Sequence, residues 1–290
     1  MNRMDTKRRA AVVAALVEGV GIRSTCRMTG ASKGAVTKLI ADLGPVCAAY
    51  MDEAFHDLAC RTLEVDEIWA FCYAKAKNVP ADKKGTFGFG DVWTFTAIDA
   101  DTKLIPSYMV GSRDAGTATE FCQDLASRLS YRPQITSDGL KVYIGALEDA
   151  FCGELDYAML QKIYAAAPGA ETRYSPAECT GVQKQVISGN PDPKRISTSY
   201  VERANLSMRM GLRRYTRLTN GHSKKLENHC AALAIFFMHY NFARIHSTIR
   251  CSPAMAAGVT PHLWSIEEIV ELLPEPESKP RGPYKKQAAA

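Results

Sequence analysis

No apolar run in this 290-residue sequence approaches the roughly 18 residues that a membrane-crossing helix needs, which argues against an integral helical membrane protein. Close cysteine pairs are missing as well. The nine cysteines, Cys26, Cys47, Cys60, Cys72, Cys122, Cys152, Cys179, Cys230 and Cys251, are scattered and odd in number. That does not suit a disulfide framework and reads as small buried side chains in a reducing compartment. His229 beside Cys230 has no second pair to complete a tetrahedral zinc site. The amino terminus, MNRMDTKRRAAVV, is basic but lacks the long apolar core and small-residue cleavage site of a secretory signal, so a cytoplasmic protein is expected.

What is present is an ordinary globular composition, 46% hydrophobic and 23% charged, long enough for a large core with one or two appendages. The net charge of +5 is mild, but its placement is uneven. Residues 1–50 hold eight Lys/Arg against three Asp/Glu, and 203–225 hold seven Lys/Arg and no acid. Two basic patches on one chain point to a polyanionic partner.

In the first patch, Val13, Leu16, Val17 and Val20 mark one apolar helical stripe, and Val36, Leu39, Ile40 and Leu43 a second at i, i+3, i+4 and i+7. Ser32 is placed to cap the second helix and Gly44 to stop it. A short helix over 22–28 and the turn Thr29-Gly30-Ala31 lie between them. Residues 1–50 therefore read as an all-α helix-turn-helix domain, with Lys33, Thr37 and Lys38 as candidate DNA contacts from a helix in the major groove. A trihelical packing unit without DNA contact fits the same pattern.

The central part begins with TLEVDEIWAFCY, Thr62 to Tyr73, whose β-branched and aromatic content predicts a buried strand interrupted by Asp66 and Glu67. Acids in such a strand need a partner or a cation. Asp66 is the candidate for a site, and Glu67 reads as alternating onto a solvated sheet face. Two more strands follow, joined at Asp99 to Thr102 with both aspartates as turn formers. Next comes an amphipathic helix capped near Ser112 or Asp114, with Ala118, Phe121, Leu125 and Leu129 along one face. A strand over Gln134 to Ser137 ends at Asp138-Gly139, and another helix starts beyond it. Three strands, a helix, a strand and a helix predict a mixed sheet with the fourth strand beside the first. Strands about 4.8 Å apart would then let Asp66 and Asp138 share a divalent ion.

The second basic segment, STSYVERANLSMRMGLRRYTR from Ser197 to Arg217, carries a lone acid, Glu202, among five arginines. A helix from Glu202 to about Arg217 places Arg209, seven residues on, over nearly the same face, roughly 10 Å along the axis. A first-turn acid gains from the helix macrodipole on its own account. The carboxyl-terminal ENHCAALAIFFMHYNFARIHSTIRCSPAMAAG reads as a buried helix, a polar turn and a helix capped by Ser252 with Pro253 first. PEPESKPRGPYKKQAAA, with Arg281, Lys285 and Lys286, has the composition of a disordered tail over 274–290.

The block YVERANLSMRMGLRRYTRLTNGHSKKLENH, ending in Ser223, Lys224, Glu227 and His229, resembles the region around the last acid of DDE transposases, the insertion sequence one (IS1-like) family in particular. VDEIW, TSDG and YVERANL are similar to that family's three acidic stations. The resemblance spans about residues 8–258. It implies an α/β, ribonuclease H-like mixed sheet flanked by helices over 60–258, with Asp66, Asp138 and Glu202 as catalytic residues binding Mg2+ or alternatively Mn2+. It implies cleavage of an insertion sequence's DNA ends, strand transfer to target DNA, and a homodimer or higher oligomer on nucleoid DNA. Arg209 matches a family position that contacts the DNA end. Arg203, Arg213, Arg214, Lys224 and Lys225 are expected to hold the DNA backbone. Two features depart from the family: no cysteine cluster precedes the helix-turn-helix, and the Asp138–Glu202 interval is long. The interval is read as an insertion over 151–190 that includes a helical YAMLQKIYAAAP. The alternatives are a catalytically inactive helix-turn-helix regulator and a nuclease on the same core.

Overall fold

The computed structural model describes residues 4–165 and 178–274. The tail with Arg281, Lys285 and Lys286, and residues 166–177 of the expected insertion, lie outside the described residues.

The sheet has six strands: β1 (Thr62–Cys72), β2 (Gly90–Asp99), β3 (Tyr108–Gly111), β4 (Gln134–Ser137), β5 (Asp156–Ala165) and β6 (Glu178–Ser188). Their order across the sheet is β3-β2-β1-β4-β5-β6. β1, β2 and β3 pair antiparallel, β4 lies parallel to β1, β5 parallel to β4, and β6 closes the edge antiparallel. The expected mixed sheet with its fourth strand beside the first is therefore present. Asp99 makes the turn after β2: its Oδ2 accepts from Thr102 N at 2.9 Å and Thr102 Oγ1 at 2.6 Å. The crossover from β3 to β4 is helix α4 (Ala115–Arg128), whose first turn is capped by Asp114 accepting from Thr117 N at 2.9 Å. Ala118, Phe121 and Leu125 of α4 are buried, and α5 (Val142–Phe151) follows β4.

The reading of YAMLQKIYAAAP as helix is corrected: its described part is β5. Tyr157, Ala158, Met159 and Leu160 are all buried. A strand paired in parallel and covered on both faces shows a continuous apolar run, which periodicity cannot separate from a buried helix.

Three helices precede the sheet: α1 (Thr6–Val17), α2 (Ile22–Thr29) and α3 (Lys33–Ala54). Asp5 caps α1, Gly30 ends α2 at φ 66°, and Ser32 caps α3 through Ala35 N. α3 does not stop at Gly44. It runs through Pro45 to Ala54 because Gly44 is a packing residue, where α3 crosses α7 (Leu226–Met238). A Cβ at Gly44 would lie 2.4 Å from Ala231 Cα. Burial of Cys47 and Met51 beyond the proline outweighs its helix-breaking tendency. The core runs without a break from Val13 and Leu43 through the sheet to Phe237.

α6 (Ser199–Gly211) lies against β1 and β2 and ends six residues before the expected Arg217. A Cβ at Gly211 would meet Phe236 Cε2 at 2.7 Å and Val17 O at 2.9 Å, so the chain turns away there. After α7 come a π turn (His239–Ala243), α8 (Pro253–Ala256), capped by Ser252 as expected, and α9 (Ile266–Glu271), which packs on α1.

The α3–α7 crossing yields a paired prediction. Gly44→Val should cost about 1–3 kcal/mol by overpacking, whereas Gly34→Ala, in the same helix with nothing within 4 Å of an added Cβ, should add up to about 1 kcal/mol. Urea unfolding of the two variants, compared at unchanged m-value, measures both.

Candidate active site

β1 carries three acids within four residues, and the pleat divides them between two faces. Glu64 and Asp66 point toward α6, and Glu67 toward α4 and α5. The parallel register pairs Val65 with Ser137, so Asp138 leaves the end of β4 beside Asp66 and Glu67. Each of these three carboxylates offers an oxygen within 4.8 Å of the others, and no second group of this kind occurs among the described residues.

Such crowding has an electrostatic consequence. Burial, then the charges of Glu67 and Asp138, push the Asp66 carboxyl up to about 7, against the stabilising donors Glu67 N (2.8 Å) and Asn205 Nδ2 (2.7 Å). Glu67 is raised too, by burial and then by Asp138. Its solvated-face reading is corrected: Glu67 is 7% exposed. Helices cover that face of the sheet, and Arg113 pairs with Glu67 at 2.5 Å, while Tyr143 OH donates to it at 3.4 Å.

Glu64 sets the position of α6. Its buried Oε2 accepts from Tyr200 N at 2.7 Å and Val201 N at 2.9 Å, occupying amides at the start of the helix that have no intrahelical partner. Burial raises its pKa, and these amides oppose the rise. One turn further on, Asn205 reaches Asp66.

Of the three acids read from the sequence, the structure brings Asp66 and Asp138 together and leaves Glu202 outside their cluster. Glu202 is on the first turn of α6, with its side chain 44% exposed. Lys162 of β5 donates to both its oxygens, at 2.6 and 2.5 Å, and Thr198 Oγ1 donates at 2.8 Å. Arg209 is half-buried, close enough to Asp66 for the two charges to interact, and Arg203 is exposed. Lys38 forms a surface pair with Asp42. Lys33 and Thr37 line the same groove as Arg213, Arg214, Lys224 and Lys225.

Sequence reasoning passed over Glu64, Asn205 and Lys162, and set Glu67 on a solvated face. The first had a signal in its i, i+2 spacing from Asp66, and Asn205 had one in its i, i+3 spacing from Glu202. Lys162 had none, because its strand resembled a helix.

The donors fit a hard divalent cation. All are carboxylate oxygens, their mutual repulsion is what a cation relieves, and Asn205 Oδ1 is buried with no hydrogen-bond partner.

No family model matches the sequence, and no curated protein matches it. Solved structures do. The piggyBac transposase synaptic complex with hairpin DNA is similar over 92% of this chain and 69% of its own, at 12% identity and TM-score 0.38. The Mos1 strand transfer complex is similar over 93% and 76%, at 11% identity and TM-score 0.34. The Mos1 mariner paired end complex with Mn covers 54% and 59%, at 11% identity and TM-score 0.23. At such identities and scores the site rests on its own geometry.

The raised Asp66 predicts a pH slope. Between its unfolded value near 4 and about 7 the native state binds the extra proton, so stability of the metal-free protein falls as pH rises through that window. Urea unfolding at pH 5 and 7.5 should show a larger loss for the native sequence than for Asp66→Asn. Added Mn2+ at pH 7.5 should raise the melting temperature of the former and leave that of the variant unchanged.

Proposed function

We propose that this chain is a DNA transposase with a ribonuclease H-like core, which cuts the ends of an insertion sequence and joins the freed 3′ hydroxyls to target DNA. The observation that supports this most directly is the meeting of Asp66, within β1, and Asp138, just beyond the end of the neighbouring β4, beneath a helix that carries a further acid and a basic residue. Bound Mg2+ or Mn2+ would activate the attacking oxygen and stabilise the leaving one. Asp66 and Asp138 would hold the cation, with Glu67 close enough to contribute. Glu202, exposed and bound among the described residues through Lys162 and Thr198, supplies the third carboxylate when Lys162 releases it. Arg209, beside Asp66, holds the phosphate of the DNA end, and Arg203 lies further out on the same helix. The three amino-terminal helices act as the helix-turn-helix unit that brings DNA to the site. Joining two ends calls for at least a dimer. A regulator that has lost catalysis and a nuclease that cuts without joining share these surfaces and differ only in products.

A strand-transfer assay with Mg2+ and DNA carrying the sequences that flank the coding region on either side separates the three. Both nicked and joined products are expected. Cutting alone would identify the nuclease, and neither product the regulator. Asp138→Asn should lower both by at least about 100-fold with DNA affinity held within a few-fold. Glu202→Gln should do the same, and full activity in that variant would remove Glu202 from the catalytic set.

A further inference from the structure

The two basic patches, far apart in sequence, face each other across one groove of about 1030 Å³. One wall is the turn from α1 into α2 with the start of α3, and the other is the chain from Leu212 into α7. Its charged lining consists of Arg23, Lys33, Arg213, Arg214, Lys224 and Lys225, with no acid. Among the described residues none of these six is in an ion pair. Arg214 donates to Ser223 Oγ at 2.8 Å, and Lys224 bonds His222 Nε2 at 2.6 Å. Uncompensated cations in a concave site concentrate positive potential. α2 and α7 both begin at this groove, and neither has a side-chain cap on its first amides, which adds to the attraction for anions.

The walls are fixed relative to each other. Gly19, at φ 78°, has no room for a side chain, since a Cβ there would lie 2.2 Å from Met210 O, and Gly211 is pressed on Val17 O from the other side. Backbone thus touches backbone between the α1–α2 turn and the end of α6. The second wall is tied to the core by a buried network in which His229 bonds Ser223 Oγ and Tyr215 OH, each at 2.9 Å. Burial pushes this histidine down to about 3, so it stays neutral and ties down the segment that carries four of the six cations.

We infer that this groove seats the phosphodiester backbone of a DNA duplex, gripped jointly by the amino-terminal helices and the 213–225 segment, independently of base sequence. Six cations along a groove of this volume exceed what one small anion can neutralise. Ser24, Thr37, Asn220 and Asn228 add neutral donors suited to phosphate oxygens. No Phe, Tyr or Trp lines it among the described residues, and the His222 ring that does is already stacked on Phe71 at 4.6 Å, so bases find little to stack on. Lys33 and Thr37 are therefore committed to a composite cleft rather than to a free-standing recognition helix. The inference rests on the DNA-acting function proposed above, but concerns a separate surface and needs no divalent metal.

The test is duplex binding by the full chain in EDTA, with two 20-bp duplexes of unrelated sequence, across a salt series. Arg23→Ala/Lys225→Ala removes one exposed cation from each wall. Lys184→Ala/Arg250→Ala removes the same charge elsewhere. The groove variant should bind both duplexes about tenfold more weakly, with its log–log salt slope shallower by about 2, at an unchanged melting temperature. The control should match the native chain. An effect on one duplex only, an equal effect in the control, no effect in the groove variant, or displacement of DNA by poly-glutamate of equal charge would overturn the inference. Because binding is read in EDTA, the catalytic reading stands or falls separately on the strand-transfer assay: loss of DNA by the groove variant here, with no products from the native chain there, would refute catalysis alone.

Discussion

A buried strand bearing Glu64, Asp66 and Glu67 cannot stand in a sheet unless each charge is answered, and the answers organise the molecule. Glu64 is met by the first amides of α6, Asp66 by Asn205 from the same helix, and Glu67 by Arg113 and Tyr143 from the opposite side. One helix is thereby fixed over β1 by two polar contacts 5 positions apart in the chain (200 to 205). Leaving any of these carboxylates unpaired would cost several kcal/mol, so the strand dictates where α6 lies.

Much of the sheet was legible because its antiparallel part is written in local signals: β-branched runs, an Asp-rich turn, a capped amphipathic crossover. Where burial became complete the signal failed. The first half of β5, Tyr157 to Leu160, is buried on both faces and so lost its period, and with it went any hint that Lys162 faces Glu202. The same holds for α3, where Gly44 reads as a stop until Ala231 shows why the glycine is there. Asp66 was recoverable as an acid inside an apolar strand, and Asp138 as an acid where the chain leaves one. Asn205, Glu64 and Glu67 depend on which face of which element is covered, and that is decided by tertiary packing.

The basic segments show a related effect of folding on charge. In sequence they are two patches with different roles, one on a short helical unit and one that follows the lone acid Glu202. In space they share a cleft, because glycines 19 and 211 let the α1–α2 turn and the end of α6 approach backbone to backbone. Net charge alone, at +5, says little. Concentrating six cations on one concave surface is what gives them a common field.

The acids also differ in how firmly they are held. Asp66 and Asp138 are set by strand register, and Asp138 is further tied by its Oδ1 accepting from Leu140 N at 2.9 Å. Glu202 is held by Lys162 in a partly exposed pair, and such pairs contribute only about 0–1 kcal/mol. Exchanging that partner for another cation therefore costs little, whereas moving Asp66 would disturb both the sheet and α6. On the proposed function, two carboxylates fixed by the fold and a third, Glu202, on a weak tether would form a site whose rigid half is built in and whose remaining part adjusts to what it binds.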